Sequence, residues 1–139
     1  MAMLPTTISP KGRDLITKLG TLAYTDTTAK QLFALPKGAI IAGIYIIGAT
    51  ASNAGTTATV SVGSSATSNE YVSGFDVKTA ATGVGYNPAA GKAVGSAMCT
   101  PITADTIVYG IYAESGTAGS AGAWTIKMEY YMPGPGEVL

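Results

Sequence analysis

Three features of this 139-residue sequence come near to a catalytic or ligand-binding motif, and each departs from it at a nameable position. Gly85-Tyr86-Asn87-Pro88-Ala89-Ala90-Gly91-Lys92 has the outline of a phosphate-binding loop. Five residues separate its glycines where four are needed, and Ala93 follows the lysine where a hydroxyl would hold magnesium. It reads as a turn. Ser120, in Gly119-Ser120-Ala121-Gly122, is half of a nucleophile elbow, but Ala118 stands where the upstream glycine belongs. The chain has no histidine to take the serine's proton, and nothing marks a Ser-Lys pair. The carboxylates Asp14, Asp26, Glu70, Asp76, Asp105, Glu114, Glu129 and Glu137 are scattered singly, without calcium-loop spacing. Glu70 and Asp76 are the nearest thing to a pair, and turn caps or solvated faces are the expected roles. A single cysteine, Cys99, sits in the apolar run Ala97-Met98-Cys99 and excludes an internal disulfide or a multi-cysteine zinc site. The expectation is a protein that is not an enzyme and carries no metal or cofactor.

Composition narrows the alternatives. Charged residues make up 12% of the chain, about half the usual share, and eight cationic side chains balance eight acidic ones. A nucleic-acid binder needs a basic excess to displace counterions, so no nucleic-acid partner is expected. Low and balanced charge also gives copies little mutual repulsion and favours association. No run reaches the ~18 apolar residues of a membrane span, and Met1-Ala2-Met3-Leu4-Pro5 does not open a signal peptide. The expectations are synthesis in a cytoplasm and no membrane partner.

What remains is binding through surfaces. Eight tyrosines and one tryptophan are the main resource, since aromatic side chains anchor interfaces and also stack on sugars. Tyr45, Tyr112 and Tyr131 lie on the parity opposite to the expected core set, which makes them candidate contacts; packing residues are the alternative. The termini carry a second set: Leu4, Ile8, Leu15, Ile16 and Leu19 at one end, Val138 and Leu139 at the other. Arms of this composition fray unless they pack on their own domain or on a partner.

The elements that must position these residues are strands. Residues 1–22 read as an N-terminal arm broken by Pro5, Pro10 and Gly12, with at most a turn of helix over 14–19. Residues 23–132 read as one β-sandwich domain and 133–139 as a C-terminal tail. Lys30 to Leu35 is a first strand; 39–47 is a second, apolar on both faces and in need of cover on both. Segments 57–62, 71–77 and 124–130 alternate with period two, the mark of half-buried strands. In them Tyr71, Phe75, Val77 and the even residues from Trp124 to Tyr130 face inward. Over 106–113, Ile107, Tyr109 and Ile111 are assigned to the inner face. Seven or eight strands with long connections, such as 82–91 and 115–122, predict an all-β, two-sheet jelly-roll or Greek-key sandwich with extended N- and C-terminal arms.

The stretches Phe33-Ala34-Leu35-Pro36-Lys37-Gly38-Ala39-Ile40-Ile41, Gly55 to Gly63, Tyr71 to Gly74, Thr106 to Tyr112 and Trp124 to Met128 resemble small head proteins of tailed bacteriophages. In size and architecture the chain is similar to jelly-roll capsid cement (decoration) proteins, the Bordetella podophage type included. The resemblance spans roughly residues 30 to 132. It implies a structural protein on the capsid surface of a virion that stabilises contacts between major capsid protein subunits, pairs as a homodimer at two-fold positions, and has no active-site residues. A carbohydrate- or host-binding β-sandwich module is the competing expectation, with Tyr45, Tyr112 and Tyr131 as stacking platforms.

Overall fold

The computed structural model describes residues 14–78, the backbone of 83–85, and 100–133. Eight strands run through them: β1 (Ile16–Ala23), β2 (Lys30–Leu35), β3 (Ile40–Thr50), β4 (Thr57–Gly63), β5 (Val72–Asp76), β6 (Gly83–Gly85), β7 (Thr106–Ser115) and β8 (Ala123–Tyr131). No helix occurs among the described residues. The strands form two four-stranded sheets, ordered β1-β8-β3-β6 and β2-β7-β4-β5, with every pairing antiparallel. The pairs β1–β8, β2–β7, β3–β6 and β4–β5 nest as in one long hairpin folded over into a two-sheet sandwich.

Alternation builds the core. Trp124, Ile126, Met128 and Tyr130 of β8 point between the sheets, as do Ile44 and Ile46 of β3 and Ala58, Val60 and Val62 of β4. Tyr71 and Val77, at the two ends of β5, are buried, and Phe75 is partly buried against the same cluster. Trp124 stacks on Tyr112 with ring centroids 5.3 Å apart. At one edge of the sandwich the sheets meet through an insertion. Leu32 is the extra residue of a bulge in β2, and its side chain lies where Gly20 of one sheet and Gly110 of the other leave room. A Cβ on Gly20 would come within 2.7 Å of Leu32.

Three expectations are corrected here. The arm assigned to 1–22 contains a strand: Ile16–Ala23 pairs along its whole length with β8, so no helical turn forms over 14–19. The residues inward from β1 are Gly20 and Leu22, while Leu19 points out, so no clean alternation announced it. The connection 82–91 includes the short strand β6, which pairs with Ile46–Gly48 of β3. In β7 the parity is reversed. Val108, Gly110 and Tyr112 face the core, while Ile107 is 42% exposed and Tyr109 and Ile111 are half-buried. The cause is packing: Gly110 must lie under Leu32, and that places Tyr112 beside Trp124.

Candidate interaction site

Four of the acidic side chains hold turns. Asp26 accepts the Ala23 N–H at 2.8 Å, Asp105 the Lys37 N–H at 2.8 Å, Asp76 the Lys78 N–H at 2.8 Å and Glu70 the Ser64 N–H at 2.9 Å. Each thereby satisfies a backbone donor that its connection leaves without a ladder partner. Glu70 and Asp76 sit before and at the end of β5, each on its own turn. Burial pushes the Glu70 carboxyl up, but donors from Ser64, from its own backbone and from Ser68 outweigh it and hold the group below the usual carboxylate range. Among the described residues, no three Cys, Asp or Glu side chains converge as metal ligands. The phosphate-loop look-alike beyond Gly85, Cys99 and Glu137 lie outside the described residues.

Ser120 is held as a loop residue. Asn53 Nδ2 donates to its hydroxyl at 3.0 Å, and Asn53 Oδ1 accepts the N–H groups of Ser120 and Ala121 at 2.8 and 3.1 Å. This fastens the β7–β8 connection to the β3–β4 connection. A buried chain of hydrogen bonds continues the fastening inward. The Tyr112 hydroxyl donates to Glu114 Oε2 at 2.7 Å and accepts a hydrogen bond from the Ser52 hydroxyl at 2.6 Å. Ser52 Oγ in turn accepts the Ala54 N–H at 3.2 Å, and Glu114 Oε2 accepts the Gly119 N–H at 3.0 Å. Burial, partly offset by the Ser52 hydrogen bond and reinforced by Glu114, raises the Tyr112 pKa. Tyr112 is fully buried, so it is not a contact residue: the expected position on the outer face is corrected with the parity of β7.

Four of the other predicted contacts converge. On the outer face of the β1-β8-β3-β6 sheet, Leu19, Lys127 and Tyr45 stand side by side across β1, β8 and β3. Leu15 precedes β1 and, on the same register, lies opposite Tyr131 of β8. Leu15 and Leu19 are 57% and 60% exposed, far from core values, whereas Tyr45 and Tyr131 are half-buried. Ile16 pairs with Tyr130 on the core-facing parity, yet it lies at the sheet end and is 40% exposed. Leu4, Ile8, Val138 and Leu139 lie outside the described residues.

The centre of this face is preorganised. The Tyr45 ring leans back over Gly43, where an added Cβ would come within 2.9 Å of Cε2 and the hydroxyl oxygen. Lys127 Nζ stands 5.2 Å from the ring centroid and pairs with Glu129 Oε1 at 3.0 Å. Tyr45 thus lies between a glycine and an ammonium. The face presents apolar Leu15 and Leu19, two aromatic side chains, and one adjacent pair of opposite charges. Sequence reasoning missed a second outward stripe, Ile107, Tyr109 and Ile111 on the opposite sheet, because both parities of β7 are apolar.

No family model and no curated protein matches this chain. Among solved structures it is similar to a chain of the cyanophage Pam1 capsid asymmetric unit, with a TM-score of 0.61 and 22% identity. That match covers 94% of this chain and 100% of the other. A chain in the acidic stable capsid structure of Helicobacter pylori bacteriophage KHP30 is also similar, at a TM-score of 0.58 and 15% identity, covering 86% and 89%. At these identities the likeness is one of fold.

Proposed function

We propose that this chain is a structural cement protein of a bacteriophage head, which binds the outside of the capsid shell and stabilises contacts between major capsid protein subunits. The observation that carries the reading is the reach of the fold likeness. It runs over the whole of a chain within a capsid asymmetric unit and over nearly all of this one. The neighbour is therefore itself a small chain of about this size, not one domain cut from a larger protein. The nested strand pairing fits the jelly roll that the resemblance implies.

The outer face of the β1-β8-β3-β6 sheet is the contact surface in this reading, with Leu15, Leu19, Tyr45 and Tyr131 as its anchors. The terminal residues Leu4, Ile8, Val138 and Leu139 extend the contact as arms. The same face suits a homodimer at two-fold positions, because adjacent Lys127 and Glu129 are self-complementary across a two-fold axis. The protein is made in the host cytoplasm and ends on the virion surface. The carbohydrate-binding alternative loses one of its three platforms on this fold, since Tyr112 is buried.

The test mixes purified protein with shells that lack it and follows co-sedimentation and resistance to thermal or mechanical rupture. Binding and a raised rupture threshold are expected, both lost in Leu19→Glu, which alters an exposed side chain only. Absence of binding by the unaltered chain refutes the function, and binding by Leu19→Glu at full strength refutes the face.

A further inference from the structure

The middle of the outer face of the β2-β7-β4-β5 sheet carries no charged side chain among the described residues. Ile107, Tyr109 and Ile111 form a stripe there along β7, with Ile107 42% exposed and the other two half-buried. Short residues flank it. Ala34 of β2 lies beside Ile107, while Gly63 and Ser61 of β4 lie beside Tyr109 and Ile111. The stripe therefore stands as a ridge between two low borders. Gln31, the longer neighbour on β2, is neutral and reaches the Tyr109 hydroxyl at 3.3 Å. Asp76 stands at the β5 edge, two strands away. A face turned to water ordinarily carries charges at roughly a quarter to a third of its positions. Depletion of charge around a central aromatic residue is instead the composition of an interface core.

We infer that this face pairs with the same face of a second copy of the chain, β7 lying antiparallel over β7 with Tyr109 on the two-fold axis. The outward order Ile107, Tyr109, Ile111 reads the same in both directions. An antiparallel crossing at Tyr109 therefore sets Ile107 of one copy against Ile111 of the other, twice, and tyrosine against tyrosine. The absence of charge suits a copy in particular. A symmetric contact repeats every charge across its axis, and a face without any incurs no repulsion. A foreign partner is ordinarily selected by complementary charge, which this face does not offer. Size sets the strength. Four strands about 4.8 Å apart, rising about 3.4 Å per residue, give a face of roughly 500 Å². Two such faces bury about 1,000 Å², the lower limit for a specific contact, so pairing is weak and concentration-dependent. This is a second pairing surface, separate from the one around Lys127 and Glu129. The Leu19 face lies on the opposite side of the sandwich, so a pair formed here keeps two shell-binding faces free.

Sedimentation equilibrium of the full chain tests the pairing without shells, so its failure leaves the cement reading standing. Between about 10 µM and about 1 mM the mean mass should climb from one copy towards two, with a dissociation constant on the order of 100 µM. Ile107→Glu places a charge at an exposed position and should weaken pairing about tenfold or more. Leu19→Glu, on the other face, should leave this pairing in place. Adding Ile111→Lys to Ile107→Glu should restore it, because the two positions meet across the axis. If a variant fails to fold, dilution of the unaltered chain followed by NMR should shift the amides of Ala34, Ser61 and residues 107–111. A single copy at every concentration overturns the inference, as does full-strength pairing by Ile107→Glu. Failure of the double variant to regain pairing overturns the antiparallel arrangement. Dilution shifts confined to Leu19, Tyr45 and Lys127 place the pair on the other face and overturn the inference while sparing the cement reading.

Discussion

Replacing Tyr112 by phenylalanine tests the least expected feature of the fold, the orientation of β7. The substitution keeps the ring stacked on Trp124 and removes only the hydroxyl, which is fully buried. Two hydrogen bonds disappear, to Glu114 Oε2 at 2.7 Å and from Ser52 Oγ at 2.6 Å. The first is made to a carboxylate and is worth about 2 kcal/mol; the second adds about 1 kcal/mol, because Ser52 is buried and its proton loses its acceptor. The sum, about 3 kcal/mol, corresponds to a melting temperature lower by roughly 10 °C in a domain of this size.

The matched control is Tyr109→Phe. Tyr109 lies on the outer side of the same strand, and its hydroxyl meets only Gln31 Nε2 at 3.3 Å, in an exposed contact. Its loss should cost less than about 0.5 kcal/mol. Urea titration of both variants, with unchanged slope and a shifted midpoint, reads the difference directly. Equal midpoints for the two variants, or a larger loss for Tyr109→Phe, would refute the orientation of β7 and the relay built on it.

Other outcomes follow from close contacts and titrating groups. Gly63→Ala drives a Cβ into the Ser68 carbonyl oxygen, a backbone atom, so the 64–70 turn must open. Protection of the Ser64 and Tyr71 amides from hydrogen exchange should fall by orders of magnitude, and unchanged protection contradicts the packing. Gly43→Ala meets only the far end of the Tyr45 side chain, so stability should change by less than about 1 kcal/mol while the ring leaves Lys127. The readout is the loss of the ring-current shift on the Lys127 side-chain protons; a retained shift counts against the seat. Because the native Glu70 pKa is lowered, its contribution to stability is present above pH 4.5 and is lost as pH falls through the native value. Glu70→Gln should therefore flatten the acid limb of the stability profile, and an unchanged limb is the contrary result. For Tyr71 the sign is opposite: its contribution is full below pH 10.0 and is lost as pH rises toward about 12. Tyr71→Phe should remove that alkaline decline.

How much of this was legible depended on whether one face of a strand differs from the other. β4 and β8 alternate hydroxyl or charge with apolar side chains, so Val60, Val62, Ile126 and Met128 could be placed inside from spacing alone. In β7 both faces are apolar. A count of side-chain volume favours Ile107, Tyr109 and Ile111 for the core, yet a glycine was needed there because Leu32 fills the space above it from a bulge in β2. Such a contact joins residues 78 positions apart and leaves no local trace. β1 was unreadable for a different reason. Its pairing comes from β8, about 100 residues away, and Leu19, a large apolar residue, breaks the alternation because it faces outward. Three residues of β6 carry no period at all. Four of the candidate contacts nevertheless share one face, since outward apolar residues on β1, β3 and β8 end up adjacent once those strands are neighbours.

The edges of the two sheets explain why association through this fold would use faces. Edge strands invite pairing with another chain, and each of the four edge strands among the described residues carries a feature that discourages it. β2 contains the Leu32 bulge, and its ladder to β7 slips there. β5 is irregular opposite Val60 and Val62, with Gly74 at φ +63° and its N–H turned back to Ser61 Oγ at 2.9 Å. β6 is only three residues long. β1 is long and flat, but it carries Lys18 on its core-facing parity, between Ile16 and Gly20, where strand addition would bury the ammonium. A partner would then be recognised by side chains on a sheet face, where one introduced charge is costly. Backbone pairing, by contrast, tolerates most side-chain changes. This difference is why Leu19→Glu, a single substitution at an exposed position, is informative for binding while leaving the sandwich itself intact.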